Sequence, residues 1–126
     1  MEKLNINALK VSIDNKTILN DISFTLPKGE TLIIIGESGS GKTMLSRLLV
    51  GIKPDNASIN GNIFFDEKDL LKISEKEWNK YRGKKISYIS QNPMAVFNPF
   101  QNVESHAVEL FQSRLGLSKK ECINKM

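Results

Sequence analysis

The stretch Gly36-Glu37-Ser38-Gly39-Ser40-Gly41-Lys42-Thr43 fits the pattern G-x-x-x-x-G-K-[ST] at every fixed position. Its glycines let the backbone curl so that several N–H groups converge on phosphate oxygens, a concavity that larger side chains would close. The pattern needs a buried strand before it and a helix after it. The aliphatic run at 32–35, preceded by Thr31, reads as a strand buried on both faces, as in a parallel sheet. Residues 42–50 read as a helix with Met44, Leu45, Leu48 and Leu49 inward, closed by Gly51 and followed by Pro54. The positive end of that helix adds to the anion site. Lys42 is placed to reach the β- and γ-phosphates, and the Thr43 hydroxyl to bind Mg²⁺. These residues predict a nucleoside triphosphate site.

The surrounding chain supplies further elements. Leu4 and Ile6, then Leu9, Val11 and Ile13, alternate apolar with polar, with a phase slip at Ala8 that predicts a bulge. Asp14-Asn15-Lys16 is turn chemistry, and Ile22, Phe24 and Leu26 resume the alternation, so an antiparallel hairpin or meander is expected, ended by Pro27-Lys28-Gly29. Residues 61–65 read as a short strand. Ser74 with Glu77 is a capping-box pattern opening a helix to about Arg82, with Trp78 and Tyr81 on one side. A further strand is expected over 86–89. Val103, Ala107, Leu110, Phe111 and Leu115 have helical spacing, and Ser118 with Glu121 forms another capping-box pattern close to Met126.

Length and composition narrow the classes. A chain of 126 residues suggests one domain at most. With 40% hydrophobic residues and eight glycines it sits in the soluble globular band. The net charge of +4 comes from scattered lysines, so nucleic acid is not expected as a partner. The four residues 32–35 fall far short of the roughly 18–20 that a membrane span needs. Met1-Glu2-Lys3-Leu4-Asn5 has no apolar signal region, and Cys122 is alone, excluding an intrachain disulfide or a Cys-cluster zinc site. A cytoplasmic chain with an inert cysteine is the expectation.

On these motifs the chain resembles the ATP-binding subunits of ABC transporters. Ile22-Ser23-Phe24, Pro27-Lys28-Gly29-Glu30 and the phosphate loop look like that family's approach to its Walker A motif, and Gly61-Asn62-Ile63-Phe64-Phe65-Asp66 is similar to its next strand. Gln91, after Tyr88-Ile89-Ser90, falls where the family's Q-loop glutamine lies. The loop Gln91-Asn92-Pro93 to Phe97-Asn98-Pro99 looks like the Gln-Asp-Pro and Leu-Asn-Pro stretch of the peptide and nickel importers, with Asn92 for the Asp and Phe97 for the Leu.

The resemblance implies an α/β fold of the P-loop NTPase type, incomplete, with an antiparallel β portion ahead of central parallel strands. It makes residues 1–126 the N-terminal part of an ABC ATP-binding domain. It implies ATP and Mg²⁺ as cofactors, held by Gly36, Glu37, Ser38, Gly39, Ser40, Gly41, Lys42, Thr43 and Gln91, with Thr43 and Gln91 toward the metal. A glutamine suits such a post because its carboxamide is neutral and both donates and accepts. The implied partners are integral-membrane permease subunits and a second ATP-binding subunit. The implied place is peripheral, on the inner face of the cell membrane. The family's adenine-stacking aromatic falls at Ile13 here, which has no π-system. The signature Leu-Ser-Gly-Gly-Gln, the Walker B Asp-Glu and the switch His do not occur among the 126 residues, so no catalytic residue is assigned and hydrolysis by this chain alone is expected to be weak. A stand-alone nucleotide-binding or regulatory module is the alternative.

Other features carry plainer readings. Asp66-Glu67 after Asn62-Ile63-Phe64-Phe65 mimics a Walker B strand but sits too soon after Lys42, and reads as the solvent end of a strand. His106 reads as a helix residue. Lys80, Arg82, Lys84 and Lys85 read as a solvated basic face, and Trp78 with Tyr81 as packing.

Overall fold

The computed structural model describes residues 3–125, which fall in two compact units divided between Lys80 and Tyr81. The first is built on an antiparallel sheet of four strands in the order β2-β1-β3-β4, formed by β1 (Leu4–Ile13), β2 (Lys16–Leu26), β3 (Ala57–Phe65) and β4 (Lys68–Asp69). Asp14 and Asn15 both take positive φ, at 48° and 64°, the backbone of a tight two-residue hairpin turn. β1 lies in the middle, with Leu4 opposite Leu26 on one side and Phe65 on the other.

The phase slip is real. Ile6, Leu9 and Val11 are all fully buried, which strict alternation would forbid, and Ala8 between them sits at φ 45°. The Ala8 N–H leaves the ladder and donates to Ser23 Oγ at 2.8 Å. Across the sheet Gly61 takes φ 96°, and a Cβ there would meet the Asn7 carbonyl oxygen at 2.6 Å. The bulge therefore needs a glycine opposite it.

Helix α1 (Lys42–Leu48) buries Leu45 and Leu48, while Met44 and Leu49 are half-buried rather than inward. It is two residues shorter than the periodicity suggests. The turn after it bends at Gly51, φ 74°, where a Cβ would run into the Trp78 indole. Trp78 is 2% exposed and ends α2 (Glu75–Trp78), which carries the full Ser74–Glu77 capping box but stops four residues before Arg82. Its packing role is as expected, and Ile63, Leu70 and Ile73 are buried in the same unit.

Two expected strands are absent. Residues 31–35 form no ladder, and Ile33 and Ile35 are 77% and 90% exposed. Residues 86–89 make only an isolated bridge between Ile86 and Arg82, and Ile89 is 87% exposed. The physical reason is shared. A strand buried on both faces needs hydrogen-bonded neighbours and covering layers, and no strand among the described residues pairs with either run. The sheet present is antiparallel throughout its described strands, and the expected central parallel strands are not formed.

The second unit holds a 3₁₀ turn (Pro93–Val96), α3 (Val103–Leu115) and α4 (Lys119–Lys125). Asn102 Oδ1 caps α3 by accepting from Ser105 N at 2.8 Å, and Gly116 ends it at φ 66°. At the head of α4, Ser118 N and Oγ both donate to Glu121 Oε2 while Glu121 N donates back to Ser118 Oγ. The Ser118 contacts hold the Glu121 carboxyl below its usual range. Val108 and Cys122 are the buried side chains of these helices.

Candidate functional site

The phosphate loop belongs to the first unit and rests against β2. A Cβ added to Gly41, at φ 94°, would meet Leu19 Cδ2 at 2.6 Å and the Ile18 carbonyl oxygen at 3.0 Å, so only glycine lets the chain turn from loop into α1 this close to the strand. Gly39, at φ 79°, has nothing within 4 Å of its would-be Cβ and faces open space. Between them Ser40 N donates to the Glu37 carbonyl at 3.2 Å, closing the turn.

Lys42 is the centre of the arrangement. Its Nζ donates to the Gly36 carbonyl at 2.7 Å, the Glu37 carbonyl at 2.6 Å and Ser40 Oγ at 3.2 Å. The ammonium thus folds back over its own loop, its three donors all committed to oxygens of that loop. Gly36 matters for a second reason, because a Cβ there would lie 2.7 Å from Ser40 Oγ.

The rest of the donor set suits a phosphate and a divalent cation. No side chain caps α1 at Gly41, so none competes with an anion for the amides at its start. Thr43 is exposed, and its hydroxyl enters no hydrogen bond among the described residues, while its carbonyl accepts from Ser46 Oγ. Those residues hold no cluster of three or more His, Cys, Asp or Glu able to take a metal. Mg²⁺ riding on a nucleotide needs no such cluster, since it keeps waters and takes one or two protein oxygens beside the phosphates.

Of the site residues read from the sequence, Gly36, Glu37, Ser40 and Lys42 are brought together by direct hydrogen bonds, with Ser38, Gly39, Gly41 and Thr43 in the same loop and helix start. Gln91 belongs to the second unit, where it is exposed just ahead of the 3₁₀ turn. Ile13 is half-buried at the end of β1, opposite Lys16 and Ala57. The Asp66-Glu67 decoy is a turn: Asp66 takes φ 57° and its Oδ1 accepts from Lys3 N at 3.1 Å. His106 is half-buried on α3, accepting from Asn98 N at 3.1 Å and meeting the Phe97 ring edge-on with centroids 5.2 Å apart. Lys84 and Lys85 are exposed, with Lys85 Nζ 5.6 Å from the Tyr81 ring centre. Ser40 reads from the sequence as a site residue, but the contact of its hydroxyl with Lys42 is revealed only by the folded loop.

Comparison with known proteins agrees with the loop. The family model described as "ABC transporter" matches residues 19–125. The chain is 37% identical over 126 residues to the oligopeptide transport ATP-binding protein OppD of Salmonella typhimurium, covering 97% of this chain and 38% of that protein. It is 38% identical to the dipeptide transport ATP-binding protein DppD of Lactococcus lactis, covering 99% and 36%. To the metal-staphylopine import system ATP-binding protein CntD of Staphylococcus aureus it is 36% identical, covering 85% and 40%. The chain belongs to the ABC transporter family, with the α/β P-loop fold of its ATPases and the antiparallel portion described above. It spans less than half the length of these curated relatives. No helix among the described residues is long and apolar enough to cross a membrane.

Proposed function

We propose that residues 36–43 bind Mg-ATP and that this chain is the N-terminal part, over residues 1–126, of an ATP-binding domain that energises import of peptides or nickel. The observation that carries the reading is the loop itself: Lys42 Nζ held over Gly36 and Glu37 at 2.7 and 2.6 Å, beside an uncapped helix start and a free Thr43 hydroxyl. Phosphates would take the loop amides and the lysine, and Thr43 and Gln91 would serve the Mg²⁺. Bound ATP supplies the phosphoanhydride bond whose cleavage drives the cycle. The relatives' names, which refer to oligopeptide, dipeptide and metal-staphylopine transport, support a peptide or metal cargo. Membrane permease subunits and a second ATP-binding subunit are the partners proposed, which puts the chain at the inner face of the cell membrane.

The test separates binding from turnover. Purified chain is expected to bind ATP more tightly with Mg²⁺ than with a chelator, and Thr43→Ala to remove most of that difference. Phosphate release is expected to stay near background, since the 126 residues carry no Walker B Asp-Glu. Affinity indifferent to Mg²⁺ and to Thr43 would contradict the proposed site.

A further inference from the structure

We infer that Ser40 is a positioning residue for Lys42, holding its ammonium in the mouth of the loop before nucleotide arrives. The inference rests on the reading of residues 36–43 as an ATP site. Three observations carry it. Ser40 Oγ accepts from Lys42 Nζ at 3.2 Å, supplying the third acceptor for an ammonium whose other two protons go to the Gly36 and Glu37 carbonyls. The backbone presents that hydroxyl through the turn closed by Ser40 N and the Glu37 carbonyl. Gly36 keeps the space clear, because a Cβ there would stand 2.7 Å from the same hydroxyl.

The two carbonyls belong to the backbone and persist under any substitution that keeps the loop, so Ser40 is the adjustable member of the clasp. Its bond is also the longest of the three, and therefore the first an incoming phosphate oxygen would displace. A lysine otherwise free to sample many rotamers is thereby held beside the place where the phosphates arrive, which lowers the ordering cost of binding. In this role the hydroxyl acts on the nucleotide through Lys42.

The experiment is competitive acetylation of the full chain with trace acetic anhydride, free of nucleotide, read by peptide mass spectrometry. The exposed Lys76 and Lys119 serve as internal references. Lys42 is expected to label more slowly than both. Ser40→Ala should raise its relative rate roughly threefold, the weight of one modest hydrogen bond. Ser40→Thr, which keeps the hydroxyl, should restore the slow rate. Gly36→Ala should raise it from the other side, by crowding the hydroxyl away. Wild-type labelling in Ser40→Ala, or fast labelling in Ser40→Thr, overturns the inference. Adding Mg-ATP to the wild-type chain should slow Lys42 further. If it does not, the ATP reading fails, while the nucleotide-free rates still decide the role of Ser40.

Discussion

In β1, Ile6, Leu9 and Val11 are fully buried, while in the aliphatic run at 32–35 Ile33 and Ile35 are 77% and 90% exposed. Both segments are apolar, and both read as strands. The difference lies in where each finds its neighbours. β1 turns straight into β2 through Asp14 and Asn15, and β3 returns along its other edge, so both of its edges find hydrogen-bonded partners among the described strands. A run buried on both faces needs strands along its edges and layers over both sides, all from distant chain. Alternation asks for one covered face, and a continuous aliphatic run asks for two.

The sharpest way to break this contrast is to truncate one side chain in each region. Leu9→Ala should cost about 2–5 kcal/mol of unfolding free energy, the usual range for a leucine deleted from a packed core. Ile33→Ala should cost less than about 0.5 kcal/mol, as at a surface site. Chemical denaturation of the two variants checks both, and equal losses would mean that the run is buried in the protein after all.

A second pair separates backbone strain from crowding within the same unit. Gly29 and Gly51 take φ 83° and 74°, but a Cβ meets nothing within 4 Å at Gly29 and enters the Trp78 indole at Gly51. Gly29→Ala should cost about 1–2 kcal/mol from conformation alone. Gly51→Ala should cost about 2–4 kcal/mol, because overpacking adds to that strain. Thermal melts in parallel read the difference.

The smallest effect expected concerns pH. Asp69 lies at the end of β4, 9% exposed. Burial pushes its carboxyl upward, but hydrogen bonds from Lys72, Asn62 and the backbone of Leu71 and Ile63 outweigh this and hold it below its ordinary value. Because the folded value is the lower one, the contribution is whole above about pH 4, the unfolded range for aspartate, and drains away as pH falls through the folded value. Asp69→Asn should flatten the acid limb of the stability curve and lower stability by a constant amount over pH 5–8, where the carboxylate's contribution is whole. A variant that keeps the wild-type acid limb would rule out this carboxyl as its source.

Much of both units was legible because the signals are local. The slip at Ala8, the turn at Asp14 and Asn15, the Ser74 and Ser118 capping boxes and the spacing from Val103 to Leu115 each specify their own geometry. Gly61 was not legible as the bulge's partner, since its need for φ 96° arises only from the Asn7 and Ala8 carbonyls across the sheet. The missing strands at 31–35 and 86–89 went unforeseen because an aliphatic run records what must cover it and not whether that cover is at hand. The phosphate loop was readable residue by residue through its fixed positions. The Ser40 hydroxyl was not, because the pattern leaves that position open and the contact depends on how Lys42 folds back.

Isothermal titration of Mg-ATP into the purified chain, beside Lys42→Ala, tests the central claim most directly. The account predicts one site per chain in the wild type and an affinity at least about tenfold weaker in Lys42→Ala, the loss of charge-assisted hydrogen bonds to phosphate. Equal affinity in the two proteins, or no binding by a wild-type chain whose melt is cooperative, would contradict it.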